Sequence, residues 1–147
     1  MKANRMSFAR LTSTLALGAA ATLTFAAPAS AAPASIAGNW KTDDGKSVIQ
    51  FYKCGSSMCG KISKFLVKEP AGGARDTENP DKSKRNRKLL GLQIFSNLKA
   101  DGNAFKGNGY SPEDGRDFKA QVYRSGSGLK VKGCVLVFCR TASFTRY

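Results

Sequence analysis

Histidine is absent from all 147 residues. That absence excludes Ser-His-Asp and Cys-His nucleophile systems, His-ligated zinc and the usual neutral-pH proton shuttle. Acids are scarce as well: 10 Asp+Glu stand against 24 Lys+Arg, a formal charge of +14. Tryptophan occurs once, at Trp40. After the N-terminal stretch, no apolar run approaches the length that crosses a membrane as a helix. A hydrophobic content of 41% with 23% charged residues argues against global disorder. The length suggests one domain with an adequate core.

Residues 1–31 read as an export signal. Lys2, Arg5 and Arg10 form a basic start without acids, Leu11 to Ala27 is apolar and Ala-rich, and Ala29-Ser30-Ala31 offers the small-x-small pattern for cleavage. A retained amphipathic anchor is the alternative. Cleavage after Ala31 leaves residues 32–147 as the folded domain, with 21 bases against 10 acids, a charge of +11. The expected location is periplasmic or secreted.

That address governs the cysteines. Cys54/Cys59 and Cys134/Cys139 are each separated by four residues, not the two of a redox-active pair. Outside the cytoplasm an even count reads as two disulfides, against a four-Cys metal site as the alternative. No metal and no cofactor is expected.

From Gly38 onward the apolar pattern has period two and is cut repeatedly by turn residues, the signature of an all-β chain. Eight strand candidates lie near 38–43, 46–54, 58–68, 89–98, 103–110, 116–124, 128–136 and 138–146. Leu90, Leu92 and Ile94 are assigned to one face of the fourth. Most links are turn-like, such as Asp44-Gly45, Asp101-Gly102 and Ser125-Gly126-Ser127-Gly128. Short links imply antiparallel neighbours, and eight such strands remove their exposed edges by closing into an up-and-down barrel. A two-sheet sandwich, which usually needs crossovers, is the alternative. One connection is long: residues 69–88 are polar, aperiodic and carry Pro70, Gly72, Gly73 and Pro80.

A meander has parity. With the first strand rising, the 1–2, 3–4, 5–6 and 7–8 links lie at the top and the others at the bottom. Cys54 and Cys59 then sit at the opposite end from Cys134 and Cys139, beyond the roughly 7 Å Cα separation that a disulfide tolerates. Only Cys54–Cys59 and Cys134–Cys139 are reachable, each stapling a hairpin tip. The same parity places Trp40 beside Arg146, where the inward series Ala142, Phe144, Arg146 puts a guanidinium on the indole. The alternative is an Arg146 that snorkels to water.

Gly38-Asn39-Trp40 answered by a late Arg resembles the calycin group of barrels: lipocalins, fatty-acid-binding proteins and avidin-like proteins. The chain is more specifically similar to a bacterial family of unknown function, DUF2147. The stretches that carry the resemblance are Gly38–Thr42, Cys54-Gly55 with Met58–Ile62, Asp76 with Asn79-Pro80-Asp81, and Arg85-Asn86-Arg87 leading to Leu90-Gly91. Tyr110–Gly115 and Gly133-Cys134 to Arg140 complete it. Departures are Ser111, where the family tends to Asp, and Phe144, where it tends to Trp. The resemblance implies a small exported protein and brings no activity or site to transfer.

The long connection is the candidate site. Asp76, Asn79 and Asp81 precede Lys82, Lys84, Arg85, Arg87 and Lys88, five cations within seven residues. The run suits an anionic ligand, envelope glycolipid, cell-wall polymer or acidic partner, with Arg85 and Arg87 as bidentate forks. Equally, Asp76 and Asp81 can pair with those arginines and pin the loop. Nucleic acid is not expected, since no aromatic interleaves the run and no recognition helix is present. Asp43-Asp44 and Glu113-Asp114 share the top end, which admits a two-carboxylate glycan hydrolase, although tight turns favour acids for local reasons. Inward positions include Ile49, Phe51, Ile62, Leu92, Ile94, Phe118, Val122, Leu129 and Val131. With strands this short, a filled lumen is favoured over an open one. The resulting expectation is a non-enzymatic binding protein acting at a mouth formed by 43–45, 69–88, 111–115 and 134–139. A protein-interaction or inhibitor module and a His-free hydrolase are the alternatives.

Overall fold

A computed structural model describes residues 31–147. Nearly all of the proposed signal segment, residues 1–30, lies outside the described residues. The strands are β1 (Gly38–Lys41), β2 (Ser47–Cys54), β3 (Ser57–Phe65), β4 (Gln93–Asp101), β5 (Ala104–Ser111), β6 (Arg116–Ser125), β7 (Gly128–Val135) and β8 (Phe138–Arg146). Each pairs antiparallel with the next, and β8 returns to β1, giving a closed up-and-down barrel. The period-two pattern dictates this outcome. In β6 and β7 buried side chains alternate with more exposed ones, and closure leaves no unpaired edge.

The closing pair is Trp40 opposite Arg146. The Arg146 guanidinium lies 4.9 Å from the Trp40 ring centroid, and Arg124 from β6 lies at the same distance. Trp40 is fully buried, and its indole N–H donates to the Ile36 carbonyl at 2.9 Å. The indole is thus the hub of the barrel's lower end, with Ile36 of the entering segment buried beside it. Both disulfides are the local pairs, with Cα separations of 5.8 Å for Cys54–Cys59 and 4.1 Å for Cys134–Cys139.

The fourth strand departs from expectation. It begins at Gln93, not 89, and Leu90 is half exposed, while Phe95 and Leu98 are the buried residues. Two residues three apart face the same side only across an irregularity. Here the register shifts between Ser96 and Lys99, with Asn97 in the left-handed region at φ 52°. A second shift, opposite Gly60/Lys61, lets Ile94 and Phe95 both line the lumen.

The lumen is packed below and open above. Trp40, Phe51, Leu98, Val122 and Leu129 fill the lower half, all almost fully buried. Across the middle, Phe51 and Phe95 pack tilted at 42° with centroids 5.1 Å apart, and Phe118 meets Phe95 edge-on at 6.0 Å. Phe118 lies flat on the wall because its neighbours are glycines: a Cβ on Gly109 would stand 2.2 Å from its ring, and one on Gly133 2.9 Å. Above this layer the lining, which runs from Gly133 and Ala142 to Phe65, Ile94 and Arg116, surrounds an open space. A filled lumen was the expectation, and it holds only for the lower half.

Candidate functional site

The open upper half is a cavity of about 840 Å³ at the mouth end. Ile49, Ile62, Phe95, Phe118, Val131 and Phe144 form its apolar base and wall. The β1–β2 turn contributes Thr42, Asp43, Asp44 and Lys46, the β5–β6 turn Ser111 to Asp114, and the β7–β8 hairpin Val135 and Phe138. Three of the four mouth segments expected from the sequence therefore meet at one opening. Two further residues join them that sequence reasoning missed, Arg116 and Arg140. Both head inward series, Arg116-Phe118-Ala120-Val122 and Arg140-Ala142-Phe144, so period two carried the signal. Neither has an ion-pair partner among the described residues.

The rim acids are engaged locally. Asp44 accepts from the Thr42 hydroxyl at 2.7 Å and the Lys46 N–H at 3.0 Å. The Lys46 ammonium stands 3.6 Å from Asp44 and 3.8 Å from Glu113. Burial pushes the Asp44 carboxyl up, but the Thr42 and Lys46 interactions outweigh it and hold the group below the usual 3.8. Two carboxylates on one ammonium are close enough for glycoside chemistry, which however needs one member kept protonated near neutral pH. Asp44 is held ionised, and the Glu113 side chain is 76% exposed to water. The arrangement is a braced rim.

The long connection stands beside the cavity, and none of residues 69–88 lines it. Its stem is a short two-stranded bridge: the Asp76 N–H donates to the Arg87 carbonyl at 3.1 Å, and the Leu89 N–H to the Ala74 carbonyl at 2.9 Å. At its centre the Asp76 side chain is completely buried. The carboxylate accepts from Tyr110 Oη at 2.6 Å, Asn79 Nδ2 at 2.8 Å, and Arg87 Nε and a terminal guanidinium nitrogen at 2.7 Å each. Burial alone raises its pKa, but the bonds from Tyr110, Asn79 and Arg87 prevail and lower it. Tyr110 is pushed above its usual 10.0, by burial and by the proton it gives Asp76. The loop is also seated on the β5–β6 turn. Gly115, at φ 64°, lies so close to the Glu78 carbonyl that an added Cβ would stand 1.9 Å from it.

The predicted site residues accordingly divide. Asp76, Asn79 and Arg87 form the interior of this knot, with Asn79 Nδ2 also donating to Tyr110 at 2.9 Å. Arg85 donates to the Asn79 carbonyl at 2.8 Å. Asp81 caps the short 3₁₀ turn Lys82–Lys84 through Ser83 and pairs with Lys84 at 3.1 Å. Lys82, Lys84, Arg85 and Lys88 are exposed on the outside of the loop. Among the described residues no cluster of Cys, Asp or Glu has the arrangement of a metal site.

The profile of a bacterial family described as "uncharacterized protein conserved in bacteria" matches residues 38–146, from the first residue of β1 to the last of β8. The chain belongs to the DUF2147 family. Among solved structures, this DUF2147 chain is similar to HP1028 of Helicobacter pylori, described as belonging to the lipocalin family. The TM-score is 0.68 at 20% identity, covering 77% of this chain and 83% of that one. At that identity the likeness shows the fold, a lipocalin-like barrel. No curated protein matches this DUF2147 sequence.

Proposed function

We propose that the protein is an exported, non-enzymatic binding protein that takes a small amphiphilic anion into the upper lumen. The supporting observation is the cavity itself: about 840 Å³, apolar below, and flanked near its opening by Arg116 and Arg140 without ion-pair partners among the described residues. That volume lies within the roughly 300–1,000 Å³ of small-molecule sites. An apolar body gains by leaving water against Phe118 and Phe144, and a carboxylate or phosphate head matches the guanidinium forks. The two disulfides fit an oxidising compartment and support export to the periplasm or beyond. The ligand class proposed is an anionic envelope component, with nucleic acid not among the partners.

Titration with dodecyl phosphate and with dodecanol tests the reading. Arg116→Ala/Arg140→Ala is expected to weaken the phosphate about tenfold or more while leaving the alcohol nearly unchanged. Equal binding of both probes by both proteins would overturn it. The exposed Lys82, Lys84, Arg85 and Lys88 are proposed as a separate outer contact for anionic polymer. Neutralising these four should reduce salt-sensitive retention on such a polymer, and unchanged retention removes the run from the account.

A further inference from the structure

We propose that the β7–β8 tip docks the barrel mouth onto an anionic bilayer, so that the ligand passes from lipid to lumen without crossing water. This rests on the amphiphile reading above.

Four consecutive apolar residues form the tip. Val135, Leu136, Val137 and Phe138 are 42%, 92%, 85% and 79% exposed. A run of exposed large apolar side chains on one turn is unusual on a soluble surface and marks an interaction site. The tip is also held in shape. Leu136 occupies the left-handed region at φ 54°, costly for a residue with a Cβ, and Cys134–Cys139 cross-links the strands directly beneath it. A stapled, strained and outward-facing apolar turn keeps its side chains in water where a relaxed one would fold them away.

The occupant follows from shape, continuity and charge. The tip is convex and only one turn wide. A stable protein interface needs roughly 800 Å² per partner with matched packing, more than the exposed parts of four side chains supply. A fluid lipid layer accepts such a finger without shape complementarity. The apolar surface is also continuous with the site: Val135 and Phe138 line the cavity as well as the tip, and Val67 flanks both the cavity and the solvent. Arg116 and Arg140 stand at the same opening without ion-pair partners among the described residues, ready for anionic headgroups. The acids nearby are largely occupied: Lys46 draws in Asp44 and Glu113, Asp43 accepts the Asp44 N–H, and Asp114 accepts from Ser111.

Leu136 and Val137 do not line the cavity, so Leu136→Asn/Val137→Ser separates docking from ligand binding. The test is co-sedimentation of the protein with phosphatidylcholine vesicles containing or lacking phosphatidylglycerol, at low and high salt. The wild type should partition onto the anionic vesicles, less at high salt, and the double variant should bind at least about tenfold more weakly. Vesicle binding unaffected by the variant, no vesicle binding at all, or a tip-dependent dimer in sedimentation velocity would each overturn the proposal. Dodecyl phosphate titration without vesicles tells the two failures apart. Uptake of the probe by a protein that ignores vesicles sinks docking alone, whereas no uptake sinks the binding reading as well.

Discussion

At the scale of single residues, Asp76 holds more of the molecule than any other acid. It receives hydrogen bonds from β5, from its own loop and from a guanidinium on the loop's returning limb. Asp76→Ala leaves Tyr110, Asn79 and Arg87 without their acceptor, and an expected loss of about 2–3 kcal/mol appears in denaturant unfolding. Because its pKa is lowered on folding, this stabilisation is present above 3.8 and is lost as pH falls through the folded value. Tyr110, raised above 10.0, contributes stability that is lost as pH climbs past its folded value. Proteolysis within 69–88 should therefore accelerate at the acid and alkaline extremes and stay slow between them. Gly115→Ala should produce the same opening at neutral pH, since its methyl group occupies the place of the Glu78 carbonyl. The Asp76–Arg87 pair inside the loop was legible in the sequence, whereas Asp81, expected on an arginine, pairs with Lys84. The loop's anchor was not legible, because Tyr110 lies 34 residues from Asp76 and only closure of the barrel brings them together.

At the scale of elements, the strands were legible wherever apolar residues alternate without interruption, as in β6 and β7. β4 was not, because its two buried anchors are three apart and a left-handed Asn97 resets the alternation between them. Asn97→Gly should be neutral or slightly stabilising, whereas Asn97→Val should cost about 1–2 kcal/mol, both read from thermal unfolding. The hairpin staples act locally. Removing Cys134–Cys139 as a Ser pair is expected to cost about 2 kcal/mol by the short-loop entropy estimate and to mobilise residues 135–138. Amide exchange in the tip checks this: rapid exchange confirms the staple's role, and unchanged protection contradicts it. Removing Cys54–Cys59, at the other end of the barrel, should leave the tip as it is.

At the scale of the whole molecule, one closed sheet has two unlike ends. The lower end is sealed by Trp40 between Arg124 and Arg146. Parity of the meander predicted the Arg146 contact. Arg124 was missed although it continues the inward series Phe118, Ala120, Val122; its meeting with Trp40 across the barrel is a property of the closed fold. The upper end opens where Gly133 and Ala142 present little side chain and Phe118 lies against glycine backbone. Counting apolar residues in the sequence cannot reveal that, since a lining residue and a packed residue have the same composition. The most direct test of the open lumen is calorimetric titration of dodecyl phosphate into the wild type and into Ala142→Phe, which places a ring across the cavity while the lower core and both disulfides remain. The expected result is one-to-one binding by the wild type and its loss in the variant, with thermal unfolding showing the variant folded. Equal binding by the two folded proteins would contradict the account, because the ligand would then lie outside the barrel.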